Sequence, residues 1–169
     1  MMEFLVTPLN TDATDKVLTL YHQVSAHGGG LARKPDEISR DYVRTFLERA
    51  QANGITRAAW TADGALVAEI HADRMGPRQF QHVLTDLTVA VHPDWQGRGL
   101  GSLLFKTLID AATQLSPPVS RIELFVRAGH SDAIRLYQRL GFKIEGRFER
   151  RVRLADGNVE DDVAMALLL

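Results

Sequence analysis

The chain is 169 residues long with 45% hydrophobic content, enough to bury a core without covalent staples. It contains no cysteine, which excludes disulfides and thiolate metal sites and gives no sign of an oxidising compartment. A formal charge of -1 with interspersed signs makes no case for nucleic acid or a membrane surface. No apolar run approaches the ~20 residues of a membrane span, and a basic-then-apolar leader is lacking, so the expectation is a single cytoplasmic domain over 1–169 with no metal.

Phe4 to Pro8 reads as a short strand, and Thr11 or Asp12 can cap a helix carrying Val17, Leu18, Tyr21 and Val24 towards a stop at Gly28-Gly29-Gly30. Pro35, Asp36 and Glu37 suit the first turn of a second helix, in which Ile38, Tyr42, Val43, Phe46, Leu47 and Ala50 recur at helical spacing before Asn53-Gly54. Thr56–Thr61 and Ala65–Arg74 form a hairpin about Asp63-Gly64, and Gly76-Pro77 breaks the second strand. His82 to Val91 follows as a further strand.

The most informative stretch begins at Leu87. A β-branched strand (Thr88, Val89, Val91) runs through a Pro-Asp turn into Gln96-Gly97-Arg98-Gly99-Leu100-Gly101-Ser102. An amphipathic helix then carries Leu100, Leu103, Leu104, Thr107, Leu108 and Ala111 on one face. The first amides of a helix lack intrahelical partners and sit at the positive end of its dipole, so a glycine-rich entry is suited to a phosphate. This is not a P-loop, which needs Gly-Lys-Ser/Thr, and the dinucleotide fingerprint fails because Ser102 stands where its third glycine belongs.

Beyond Ser116-Pro117-Pro118, Arg121 to Val126 returns as a strand parallel to 87–91, because the helix between them is a crossover. Ser131-Asp132 caps a helix in which Ala133, Ile134, Tyr137 and Leu140 share a face and Gly141 ends it. The alternating run Lys143–Leu154 turns at Asp156-Gly157 into Val159–Leu167. With those two residues as the loop, Arg153 opposes Glu160, Val152 opposes Asp161, Arg151 opposes Asp162 and Arg150 opposes Val163. Arg150 and Asp161 are then charged positions on the apolar face, either paired at the sheet margin or holding a substrate carboxylate or amine.

The run V-x-V-x-P followed by Q-x-x-G-x-G, together with Leu136-Tyr137 and Gly141-Phe142 downstream, resembles the GCN5-related N-acetyltransferase (GNAT) superfamily. The run from Arg121 through Gly141-Phe142-Lys143-Ile144-Glu145-Gly146 to the Asp-containing last strand resembles a bacterial branch that includes free amino-acid acetyltransferases. The resemblance implies an α/β (α+β) fold. Its mixed, mostly antiparallel seven-stranded sheet has splayed parallel central strands and about four helices. It also implies acetyl-CoA as donor, with the pantetheine arm along Val89, Ala90 and Val91, the pyrophosphate on Gln96, Gly97, Arg98, Gly99, Leu100, Gly101 and Ser102, and His130 where the family commonly has Asn. The first two helices usually shape the acceptor site, which makes Tyr21, His22, His27 and Leu31 specificity candidates; the alternative is a plain loop with two solvent histidines. A homodimer through the terminal strands is a further family habit.

Acetyl transfer needs a base for the amine, a donor for the oxyanion and an acid for the thiolate. By resemblance Tyr137 is the acid, or alternatively a core aromatic, and a free amide near Val89 is the oxyanion donor. Asp86 ranks first as base, ahead of His82, with Glu69 and His92 also nearby; a bulge in this strand would reset which of them face the cleft. The expected activity is N-acetylation of a free amino acid or other small amine by direct attack in a ternary complex. The alternatives are a protein acetyltransferase of the ribosomal-protein type or a non-catalytic acetyl-CoA-binding module.

Overall fold

A computed structural model of the chain describes residues 4–28 and 30–169. Gly29, in the expected glycine stop, lies outside the described residues. The described residues form one seven-stranded sheet: β1 (Leu5–Thr7), β2 (Gly54–Trp60), β3 (Leu66–Arg74), β4 (Val83–Val91), β5 (Arg121–Arg127), β6 (Lys143–Arg153) and β7 (Val159–Leu168), in the spatial order β1-β2-β3-β4-β5-β7-β6. Every pairing is antiparallel except β4 with β5. Four α-helices flank it: α1 (Thr14–Ala26), α2 (Arg40–Asn53), α3 (Leu100–Ala112) and α4 (Ser131–Arg139).

The two faces carry separate cores. On one, α1 and α2 bury Val17, Leu20, Tyr21, Val43, Phe46 and Leu47 against Ala58 and Ala90. On the other, Leu100, Leu104, Phe105 and Leu108 of α3 pack on Ile70, Leu84, Ile122 and Leu124, with Tyr137 and Leu140 of α4 at the margin. Phe105 is fully buried. The α3 stripe is therefore rotated towards Phe105 and away from the expected Leu103 and Ala111, which are only partly covered.

Helix starts differ from expectation where a better cap is available. Asn10, not Thr11 or Asp12, accepts from the Asp12 amide at 2.9 Å and opens a short 3-10 turn that runs into α1. Pro35–Glu37 forms its own 3-10 turn, closed by the Lys34 amide on the Glu37 carboxylate at 2.9 Å. Ile38 is then extended, and Ser39 caps α2 by accepting from the Tyr42 amide at 3.0 Å. His130, rather than Ser131 or Asp132, occupies the N-cap of α4.

Both hairpin turns use the same tripeptide, Ala62-Asp63-Gly64 and Ala155-Asp156-Gly157, with the glycine left-handed at φ 83° and 88°. Each is a three-residue loop, closed by Thr61 with Ala65 and by Leu154 with Asn158. The extra loop residue shifts the last hairpin by one from the expected register: Arg153 faces Val159 and Val152 faces Glu160. A bulge between Phe148 and Val152 shifts it again, so that Arg147, not Arg150, faces Val163. Arg150 sits in that bulge at φ 53°, and its amide donates to Asp161 at 2.8 Å, while Arg147 Nε reaches the same carboxylate at 2.6 Å. Of the expected cross-strand pairs, Arg151–Asp162 forms at 3.6 Å, whereas Glu160 binds Arg127 at 3.1 Å and the Gly129 amide at 2.9 Å.

Candidate active site

The parallel pair β4 and β5 is joined only at its start, through Val83 with Arg121 and Leu84 with Ile122. From Thr85 onward β4 keeps its partner β3 while β5 pairs along its whole length with β7, so a gap opens between them. A bulge lies where the two separate: β3–β4 register slips between His71 and Asp73, and Asp86 is left-handed at φ 51°. The His92 amide donates to Val67 at 2.9 Å, which fixes the alternation beyond the bulge. Ala90 and Thr88 point their backbone groups at β3, and Val91 and Val89 point theirs into the gap. The same reasoning from Ala128 N–H on Asp161 directs the backbone of Phe125 and Arg127 into it from the far side. Of the three residues expected along a pantetheine arm, Val89 thus offers a free amide and carbonyl and Val91 a free amide, its carbonyl accepting from the Gln96 side chain. Ala90 does not, because its polar groups serve the sheet.

The gap leads to the glycine-rich loop. Gly97 and Gly99 are left-handed at φ 72° and 81°, and no heavy atom lies within 4 Å of where a Cβ would stand on either. Gly99 is the N-cap of α3 and supplies no side-chain cap, leaving the first amides of a 13-residue helix facing outward. Unpaired amides at an open glycine loop suit an anionic group. Arg98 is exposed, with its guanidinium stacked 4.8 Å from the Trp95 ring, and Gln96 donates to the Val91 carbonyl at 3.1 Å, tying the loop to the gap. Leu100 can offer only its amide, since its side chain lies in the core. Gly101 lies against Leu136 of α4, so α3 and α4 close on each other beside the loop, and Ser102 is half-buried on the same turn.

Tyr137 enters from the α4 side, packed on Phe105 and Phe142 with ring centroids 5.2 and 6.1 Å away. It makes no side-chain hydrogen bond among the described residues, and no buried polar atom among them lacks a partner, so its hydroxyl reaches accessible space. Burial pushes the phenol up to about 12. His130 is half-buried at the head of α4, its side chain making no capping bond.

The opposite face of the gap carries the other titratable groups. Asp86 is exposed on the α2 side of the bulge, where Arg49 bridges it at 3.5 Å to Asp73 at 2.7 Å. Burial raises Asp73 from its ordinary value, with Arg49 opposing. Deeper in, Glu69 is fully buried; it accepts from the Tyr21 hydroxyl at 2.6 Å and lies 3.1 Å from His71 Nδ1. The His71 ring stacks on Phe46 with centroids 4.0 Å apart. The remaining candidates have local roles. His22 bonds the Ile38 carbonyl at 2.8 Å and His27 the Gln23 carbonyl at 2.9 Å; His92 caps its own turn at the Asp94 amide, and His82 is exposed at the closed end of β4. Leu31 packs at the edge of the α1/α2 core.

Reading the sequence passed over His71, which the structure places in this buried polar cluster. The signal was present: in Leu66–Arg74, Glu69, His71 and Asp73 alternate at period two through an apolar strand, placing three polar groups on one buried face. No His/Asp/Glu group among the described residues is arranged to hold a metal ion, and no helix among them is long and apolar enough to cross a membrane.

The described geometry has counterparts among known proteins. Residues 25–142 match the model of the Acetyltransferase (GNAT) family. The L-amino acid N-acetyltransferase AaaT of Escherichia coli K12 is 31% identical over 113 residues, covering 67% of this chain and 68% of that protein. The ribosomal protein bS18-alanine N-acetyltransferase of Salmonella typhimurium LT2 is 37% identical over 99 residues, covering 56% of this chain and 65% of that one. Among solved structures, a phosphinothricin acetyltransferase of the GNAT superfamily from Sinorhizobium meliloti, in complex with acetyl-CoA, superposes with a TM-score of 0.86 over 99% of this chain and 89% of its own, at 18% identity.

Proposed function

This chain belongs to the GNAT acetyltransferase family, and we propose that it transfers the acetyl group of acetyl-CoA to the primary amine of a free amino acid or similarly small acceptor. The observation that carries this reading is the β4–β5 gap, with free backbone groups at Val89 and Val91 and an open glycine cradle at its end. Bound acetyl-CoA would supply an activated acetyl thioester. In this reading the loop amides from Gly97 to Ser102 and the Arg98 guanidinium hold the pyrophosphate. The Val89 and Val91 backbone groups align the arm, and the Val89 amide, already unpaired in the sheet, donates to the oxyanion without reorganising. His130 contributes a ring nitrogen at the head of α4 where the family commonly has an amide.

In this reading Tyr137 would lie beside the leaving sulfur of bound acetyl-CoA. With its phenol near 12 it is protonated at every working pH, and full transfer to a thiolate of ordinary pKa ~8.5 would be uphill. Its role is therefore to donate a hydrogen bond as charge gathers on sulfur. The similarity to the amino-acid enzyme AaaT favours a small acceptor, and that to the bS18-alanine enzyme keeps a protein N-terminus as the second reading.

A panel of free amino acids, polyamines and peptides with defined N-termini, scored by release of CoA thiol, separates these readings. The absence of cysteine means the protein adds no background to the thiol reagent. Free amino acids are expected to raise release above the hydrolysis blank. Release with the peptides alone would transfer the assignment to the second reading.

A further inference from the structure

The geometry points to His71 as the base that takes the acceptor's proton, with Glu69 and Tyr21 as the residues that position it. This rests on the acetyl-transfer reading and supplies the one group that reading lacks. Tyr137 approaches the gap from the α4 face. A proton acceptor is needed on the other face, where α1 and α2 cover the sheet, and His71 lies there. It stands opposite Thr88 in the β3–β4 register, one residue before the Val89 amide, and on the same sheet face as Ala90 and Thr88.

The ring is held as a base must be. Phe46 stacks flat on it, with an interplanar angle of 7°, and Glu69 engages Nδ1 at 3.1 Å. Tyr21 donates to Glu69 at 2.6 Å, and burial together with the adjacent carboxylate pushes its phenol well above the ordinary value, so it is a permanent donor. A carboxylate on Nδ1 fixes the proton there and leaves Nε2 with a lone pair. The ring is buried, its side chain 4% exposed; Nε2 makes no hydrogen bond among the described residues and, since no fully enclosed polar atom among them lacks a partner, is not wholly sealed off. The charged and titratable groups around the ring are Tyr21 from α1, Arg49 from α2, Glu69 and Asp73 from β3, and Asp86 from β4. Arg49, Asp73 and Asp86 satisfy one another, whereas nothing occupies Nε2.

The proton balance closes. The ammonium gives one proton to Nε2, and the amine nitrogen forms the C–N bond as the C–S bond breaks. The second nitrogen proton balances the one that ends on sulfur, and the imidazolium returns its proton to solvent. An imidazole nitrogen with a free lone pair is better placed to accept the amine proton than the exposed Asp86 carboxylate, which is already paired with Arg49.

The test compares wild type with His71→Asn, Glu69→Gln and Asp86→Asn. His71→Asn keeps a nitrogen for Glu69 and removes Nε2. It should lower kcat about a hundredfold with unchanged acetyl-CoA affinity, and remove the acid limb of kcat/KM that reports the imidazole. Glu69→Gln should move that limb rather than abolish it. An unchanged limb in His71→Asn, or the whole effect falling on Asp86→Asn, would overturn the assignment. Nitrogen NMR of the wild-type imidazole decides independently of turnover: the Nδ1–H tautomer is expected, and an Nε2–H tautomer would contradict it. Wild-type protein that releases no CoA with any amine would instead count against the acetyl-transfer reading, leaving the tautomer result to stand by itself.

Discussion

Two phenols carry the proposed chemistry at the scale of single residues. Tyr137 and Tyr21 are both raised by burial, but only Tyr21 has an acceptor, the Glu69 carboxylate. Tyr137→Phe should therefore cut turnover about a hundredfold while leaving acetyl-CoA affinity within twofold, because the ring still fills the space beside Phe105 and Phe142. Steady-state rates and calorimetric binding on the same preparation check both halves. The pH dependence follows from the sign of the shifts. An unfolded tyrosine ionises near pH 10, while the folded phenols resist ionisation, Tyr137 until about 12. Their contribution to stability is complete below pH 10 and is lost as pH rises through the folded values. Melting temperature should fall across that window, and less steeply in Tyr137→Phe. The proposed role of Tyr137 could be read from its sequence motif, whereas that of His71 could not, because its partners Glu69 and Tyr21 are brought together only by the packing of α1 on β3.

At the scale of elements, the glycine loop and the β4 bulge do the positioning. Gly99 at φ 81° is a conformation that β-branched side chains avoid at a cost of roughly 1–2 kcal/mol, and a Cβ there would project into the open cradle. Gly99→Val should weaken acetyl-CoA binding about tenfold or more, measured by calorimetry, with the circular dichroism spectrum retained. The bulge is clamped by Arg49, which joins α2 to Asp73 and Asp86. Arg49→Ala strands the nearly buried Asp73 carboxylate, whose pKa is already raised, and should cost about 1 kcal/mol, or ~2–4 °C in melting temperature. The same change under acetyl-transfer assay should lower kcat more than affinity, since the bulge sets where Val89 faces. Elements were legible where one signal dominated, as in the Gly-rich entry to α3. They were misplaced where two local options competed: Asn10 against Thr11 as a cap, Ser39 against Pro35 as a helix start, and a three-residue against a two-residue Asp-Gly turn.

Over the whole molecule, the sheet separates the two halves of the proposed chemistry. The glycine loop and Tyr137 lie on the α3/α4 side, the proposed acceptor wall on the α1/α2 side, and the β4–β5 gap lies between them. That division was readable in outline, because a crossover helix forces a parallel pair and the glycine loop marks its ligand end. The exact backbone groups were not, since the bulge at Asp86 resets the alternation and only the register shows that Val89 and Val91, not Ala90, are free. Backbone NMR of the protein titrated with acetyl-CoA tests this directly. The Val89 and Val91 amides should shift and gain protection from hydrogen exchange together with Gly97 to Ser102, while the Ala90 amide, already bonded to β3, changes little. Shifts confined to other elements, with Val89 and Val91 exchanging as before, would contradict the gap as the acetyl-CoA site.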